Sequence, residues 1–179
     1  MKHLPLIILS FFIFLSCQED VKPVVDETIK SDEDIPTQES WDSEIYITEA
    51  GNLKAIIHAD HIRAFEDEKM TYLEGVKIDF YNDNEKRTST LTSKKGRVDD
   101  ATRNMYAIDS VVAVNDSGTV LETNELMWEN KSQKITTDKF VTITTNEERM
   151  EGYGFESDQS LENYIIYKII YSTRLKNNK

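Results

Sequence analysis

Few residues in this chain have the type and spacing to do chemistry. Three histidines are present, and two of them lie in the segment His58-Ala59-Asp60-His61. Metal binding is the chemistry to consider there. On a strand, residues three apart point to opposite faces, so only His58 and Asp60 would share one. Zinc sites need three or four converging ligands, and the single cysteine is Cys17, far from this segment. Exposed or capping roles are expected for both histidines, and no metal. The adjacent carboxylates Asp99-Asp100 and Glu147-Glu148 have the residue types of an acid–base pair, but both sit in polar, turn-like segments where carboxylates are simply solvated. The chain has no G-x-S-x-G elbow, and no P-loop or dinucleotide glycine pattern. We therefore expect no enzyme and no cofactor. Gly152 and Gly154 either let a ligand approach the backbone or mark a bulge or bend between strands. Trp41 and Trp128 are core or rim anchors, with Trp128 the better suited to a core because it opens a strand-like segment.

Cys17 stands where an apolar run meets an acidic one. Lys2 and His3 make a short positive start, and the run from Leu4 to Leu15 is almost wholly apolar. That run is shorter than the roughly 20 residues a membrane-spanning helix needs, and it has the length of a secretory signal's apolar region. The quartet Phe14-Leu15-Ser16-Cys17 resembles the bacterial lipobox, with Phe14 at the place more often held by Leu. The resemblance implies cleavage before Cys17 and acylation of its thiol, which would tie the protein to a membrane. The alternative is a simple secretory signal with an incidental cysteine. Gln18 follows the cysteine; by the enterobacterial rule an Asp there retains a lipoprotein at the inner membrane, so the outer membrane stays open.

From Gln18 to Ser40 the chain is rich in Asp and Glu, poor in apolar residues and interrupted by Pro23 and Pro36. Such a stretch buries too little surface to offset its ordering entropy. The expected organisation is a signal peptide over 1–16, a lipidated acidic flexible tether over 17–40, one domain over 41–172 and a polar tail over 173–179. The chain carries 33 acidic against 21 basic residues, a net charge of −12. That balance argues against a nucleic-acid partner, which needs a basic face.

No proline follows Pro36, which suits a long run of paired strands. Apolar and polar residues alternate in Val76-Lys77-Ile78-Asp79-Phe80, in Val112-Ala113-Val114 and in Val141-Thr142-Ile143-Thr144. A period of two means one buried face and one wet face. Turn-like segments such as Asn82-Asp83-Asn84 and Asn115-Asp116-Ser117-Gly118 separate them. The body is expected to be all-β. A frame of apolar, polar, small, polar, polar, apolar recurs in Ile57-His58-Ala59-Asp60-His61-Ile62 and in Leu121-Glu122-Thr123-Asn124-Glu125-Leu126. Leu91-Thr92-Ser93-Lys94-Lys95-Gly96 and Met150-Glu151-Gly152-Tyr153-Gly154-Phe155 are looser copies. A spacing of roughly 30 to 35 residues points to a strand–turn–strand repeat, and such units must stack to bury their apolar faces.

In order and spacing, several of these segments resemble the LptC branch of the LptA/LptC/OstA family of lipopolysaccharide-transport proteins. The carrying residues are 72–81 (YLEGVKIDFY), 121–128 (LETNELMW), 135–138 (ITTD) and Gly152-Tyr153-Gly154-Phe155. The likeness covers roughly Trp41 to Tyr171. It implies an open β-jellyroll of two facing antiparallel sheets. The best-known LptC proteins begin with a transmembrane helix, where this chain has Cys17 and a tether.

The inward candidates are Ile57, Val76, Ile78, Phe80, Leu91, Val112, Val114, Leu121, Val141, Ile143 and Ile166. In a closed sandwich they fill a core; in an open jellyroll they line a trough for acyl chains. The segment 164–171 (YIIYKIIY) is apolar on both faces, including Ile165, Tyr167, Ile169 and Tyr171. As an edge strand it would be an aggregation liability unless a partner paired with it; the alternatives are an internal strand or protection by Lys168. The resemblance implies a bridge component that takes lipopolysaccharide from an inner-membrane ABC transporter and passes it to an LptA-like jellyroll. The rival expectation is a membrane-anchored structural or adhesive β-domain that binds a protein partner and no lipid.

Overall fold

Among the described residues the chain reverses eight times, mostly through tight polar turns. Ala50 and Gly51 both take positive φ between the first two strands, the geometry of a two-residue hairpin turn. Asn82 Oδ1 accepts the Asn84 and Lys86 amides, and Asp99 Oδ1 accepts those of Ala101 and Thr102. The computed structural model describes residues 35–175. Its strands are β1 (Gln38–Glu49), β2 (Asn52–Phe65), β3 (Met70–Tyr81), β4 (Arg87–Asp99), β5 (Asn104–Asn115), β6 (Val120–Glu129), β7 (Lys134–Thr144), β8 (Glu148–Ser157) and β9 (Tyr164–Arg174). No helix is present among the described residues.

Every strand pairs antiparallel with its neighbours in sequence, in the order β1 to β9. The expected all-β fold of strand–turn–strand units is present, with one difference from two separate sheets. The hydrogen bonding is continuous through a single nine-stranded sheet, and that sheet is creased. Pairing lapses between His58 and His61 on β2, and between Glu74 and Val76 on β3. It shifts between Thr92 and Lys95 on β4, Ile108 and Val111 on β5, Thr123 and Met127 on β6, and Thr137 and Phe140 on β7. These irregularities lie side by side, and bulges bend the strands that carry them. Asp42, Gly75, Asp109, Ser110 and Gly154 supply positive φ along the same line. Each strand thus contributes to two leaves.

The repeated sequence frame is the local cause of the crease. Its two apolar positions are five residues apart and would face opposite ways in an unbroken strand. Yet Leu121 and Leu126 are 1% and 2% exposed and belong to one buried cluster. Ile57 and Ile62 share another. Leu91 with Gly96, and Met150 with Phe155, also turn inward. Both ends of the frame can be buried only if the strand breaks phase between them, so the sequence repeat and the crease are one feature.

The leaves pack face to face. One cluster joins Phe80, Leu91, Val111 and Leu121 from one leaf to Ala107, Leu126, Ile135 and Phe155 from the other. A second holds Ile57, Ala59, Ile62, Leu73 and Val76, and Ile78 packs against both. Of the expected inward residues, Val112 and Val114 are corrected. Val114 is 39% exposed while Val111 is 1% exposed, because β5 buries Val111 and Ala113 and turns Val112 and Val114 outward against Thr92 and Thr90. The run Val111-Val112-Ala113-Val114 is apolar on both faces, and side-chain size alone favoured the wrong one.

β1 begins at Gln38, three residues before the expected start of the domain, and β9 continues to Arg174. The two are the edges of the sheet.

Candidate functional site

The candidate chemical groups resolve into structural roles. The phase break at Asp60 brings His58 and His61 to the same outer face, not to opposite faces as a regular strand would place them. They nonetheless serve different partners. His58 Nε2 lies 3.8 Å from Asp79 Oδ2, whereas His61 Nε2 is 2.7 Å from Glu39 Oε1 and its ring stacks on Trp41 at 5.1 Å. Among the described residues, no group of three or more His, Cys, Asp or Glu is placed to hold a metal ion. Asp99 closes its turn, and the backbone amide of Thr102 leads the interactions that hold its carboxyl below the ordinary aspartate value. Asp100 accepts the Thr71 hydroxyl at 3.1 Å. Glu147 and Glu148 donate their amides to Thr145 Oγ1.

Asp79 is the most buried acid among the described residues, on the outer face of β3. Thr90 Oγ1 donates to it at 2.6 Å, Lys77 Nζ lies at 2.8 Å and Arg87 at 3.7 Å. Burial pushes its carboxyl upward, but the hydrogen bonds from Lys77 and Thr90 and the charges of Lys77 and Arg87 outweigh that and hold it low. The cluster ties β2, β3 and β4 together.

Gly152 and Gly154 serve backbone approach. A Cβ on Gly152 would collide with the Lys168 carbonyl and stand 2.7 Å from Ile166 Cγ2. Gly154 takes φ +73°, and Tyr167 lies across it; the Tyr167 hydroxyl donates to Glu156 Oε2 at 2.9 Å. The glycines therefore let β9 lie close on β8. Trp128 packs against the core; Trp41 is 62% exposed on β1.

The feature that remains is the space between the leaves. An apolar cleft lies where the two clusters meet, and Ile57, Val76, Ile78, Phe80 and Leu91 line it. Sequence reasoning missed Val98, Met105, Leu126 and Ile135 on the facing leaf, because it followed only the clearest alternating runs. Leu121, Val141 and Ile143 are buried in the adjoining cluster, with Ile166 packed against it. The free volume of the cleft is about 40 Å³. A cavity of about 150 Å³ accommodates benzene, so in this state the cleft is narrower than a ring-sized site.

Both sheet edges present apolar side chains. On β9, Ile165, Tyr167, Ile169 and Tyr171 are exposed; on β1, Trp41, Ile45, Tyr46 and Ile47 are exposed. The β1 edge was not legible from alternation, since exposed apolar residues stand on both its faces. Cys17 and Gln18 lie outside the described residues.

No curated protein matches the sequence. Residues 4–168 match the family model described as "Lipopolysaccharide-assembly, LptC-related". A creased all-β sheet with an apolar interior and a family match over most of its length lead to one conclusion: the chain belongs to the LptC family, and its role lies in lipopolysaccharide transport in the cell envelope.

Proposed function

We propose that this protein is a non-enzymatic bridge component. Acyl groups on Cys17 hold it to a membrane, and the acidic segment that follows gives it reach. The creased domain accepts lipopolysaccharide from an inner-membrane ABC transporter and passes it to an LptA-like jellyroll. The acyl chains travel between the leaves, past Ile57, Val76, Ile78, Phe80 and Leu91, with Leu121, Val141, Ile143 and Ile166 along the same interior. ATP hydrolysis in the transporter supplies the energy.

The observation that carries this reading is the apolar cleft between two leaves of a sheet whose edges are both unpaired among the described residues. Burial of each methylene stabilises by about 0.8 kcal/mol, so hydrocarbon chains can be held with no polar contact. The edge strand β9 offers main-chain groups for strand addition, the interaction through which an extended partner joins a sheet. Replacing Ile169 with proline removes one amide from that edge. The expected result is loss of co-purification with the partner jellyroll while the domain keeps its unfolding midpoint; unchanged co-purification would remove β9 from the handover.

One observation favours a second reading. The interior is nearly filled, as in a domain that binds a protein partner through its edges and carries no lipid. Membrane fractionation and co-purification separate the two. Residence at the inner membrane with the transporter supports the bridge, and exclusive residence at the outer membrane supports the structural or adhesive role.

A further inference from the structure

The loop from Asp158 to Asn163 joins β8 to β9, yet its partners are on the other leaf. Ser89 Oγ, at the start of β4, donates to the Gln159 carbonyl at 2.8 Å. Asn115 Nδ2, at the end of β5, donates to the Ser160 carbonyl at 3.1 Å. Ser89 and Asn115 are adjacent in the ladder and both are buried. They sit on the rim farthest from the crease, and the loop springs from the opposite rim. A pocket at the same place is lined by Tyr81, Asn82 and Thr88 from one rim and by Gln133, Asp158 and Gln159 from the other.

Directly after the two residues that accept those hydrogen bonds, the chain inserts a leucine. Leu161 is 2% exposed and belongs to the same buried cluster as Phe80, Leu91 and Ile135, which line the cleft. It does so at φ +55°, in the left-handed region that disfavours a residue with a Cβ. The loop holds its own shape through Asp158, which accepts the Ser160 hydroxyl at 2.8 Å, the Asn163 side-chain amide at 2.7 Å and the Glu162 amide at 3.2 Å. Burial raises the Asp158 carboxyl, but these bonds outweigh it and keep the group ionised. A preformed loop, two hydrogen bonds across the mouth and one strained apolar plug make a fastening that can release as a unit.

We infer that the β8–β9 loop is a clasp across the mouth of the folded sheet, and that acyl chains enter when Leu161 and the hydrogen bonds accepted by Gln159 and Ser160 release the opposite rim. The inference rests on the lipid-carrier reading above and adds its gate. It accounts for a transport domain whose cleft has a free volume of only about 40 Å³ in this state. The creased sheet is continuous on the far side, so the leaves can part at the mouth without breaking a ladder.

The test uses the full chain and a fluorescent long-chain fatty acid as probe. Leu161→Gly removes the plug and suits the positive φ, which glycine adopts freely. Ser89→Ala is the milder variant and removes one cross-mouth bond. If the closed state dominates, weakening the clasp raises the populated open fraction and with it the apparent affinity. We expect tenfold or tighter binding for Leu161→Gly and a smaller gain for Ser89→Ala. Hydrogen exchange gives a readout free of lipid. The Leu161 and Asn163 amides should exchange through an opening that leaves β6 and β7 protected, and probe should accelerate it. Loop amides that exchange only on global unfolding would overturn the clasp. Binding of the probe equally by wild type and both variants would overturn the clasp and leave the carrier reading standing; no binding by any of them would overturn both.

Discussion

Leu121 and Leu126 are five residues apart on β6, and both are buried. Replacing each in turn with alanine tests whether the crease is real and whether it is what the sequence frame encodes. Each substitution deletes about three carbons' worth of buried side chain, or roughly 2.4 kcal/mol of transfer free energy at about 0.8 kcal/mol per methylene. A cavity term adds to this, and Leu→Ala in cores costs about 2–5 kcal/mol. For a protein of this size each kcal/mol lowers the melting temperature by about 2–4 °C, so each variant should melt about 5–15 °C below wild type. The exposed neighbour Glu122 is the control, and Glu122→Ala should change stability by no more than about 0.5 kcal/mol. Urea unfolding followed by tryptophan fluorescence reads the three midpoints, with equal slopes required for comparison. An unbroken strand would put one leucine on the surface. If either leucine-to-alanine change costs under about 1 kcal/mol, the crease does not lie between them and the account of the frame is wrong.

The other predictions concern faces, edges and charge. Val111→Ala should destabilise by about 1–3 kcal/mol while Val112→Ala stays near zero, measured by the same unfolding curves, because β5 buries the first and exposes more of the second. Gly152→Ala places a methyl against the Lys168 carbonyl and Ile166; a cost of about 1–3 kcal/mol and faster amide exchange along β9 are expected. Asp79 has a carboxyl pKa below its unfolded value, so its contribution is fully present above the ordinary aspartate range. That contribution is lost as pH falls through the depressed folded value. Asp79→Asn should flatten the acid limb of the stability–pH curve; an unchanged limb would remove the cluster of Asp79, Lys77, Arg87 and Thr90 from the stabilising set.

Strand identity was readable where one face is apolar and the other charged, as in Val76-Lys77-Ile78-Asp79-Phe80. It failed on β1, where Trp41, Ile45, Tyr46 and Ile47 are all exposed and no alternation marks an inward face. It failed again at Val112 and Val114, where four consecutive apolar or small residues leave the phase undecided. The frame around Leu121 and Leu126 was visible as a repeat, but its spacing of five carries a meaning that emerges only when both ends are seen buried. Alanines such as Ala59, Ala107 and Ala113 form part of the core with too small a side chain to announce themselves. Leu161 sits among polar neighbours in Ser157-Asp158-Gln159-Ser160-Leu161-Glu162-Asn163, a context that reads as a loop. Only the fold reveals that the leucine reaches back into the core.

Photo-crosslinking in cells tests most directly whether lipid passes between the leaves. A photoreactive residue at Ile78, where the two buried clusters meet at the cleft, should capture lipopolysaccharide, whereas one at Val114 on the outer face should not. Equal capture at both positions, or none at Ile78 while the domain remains folded, would contradict the account.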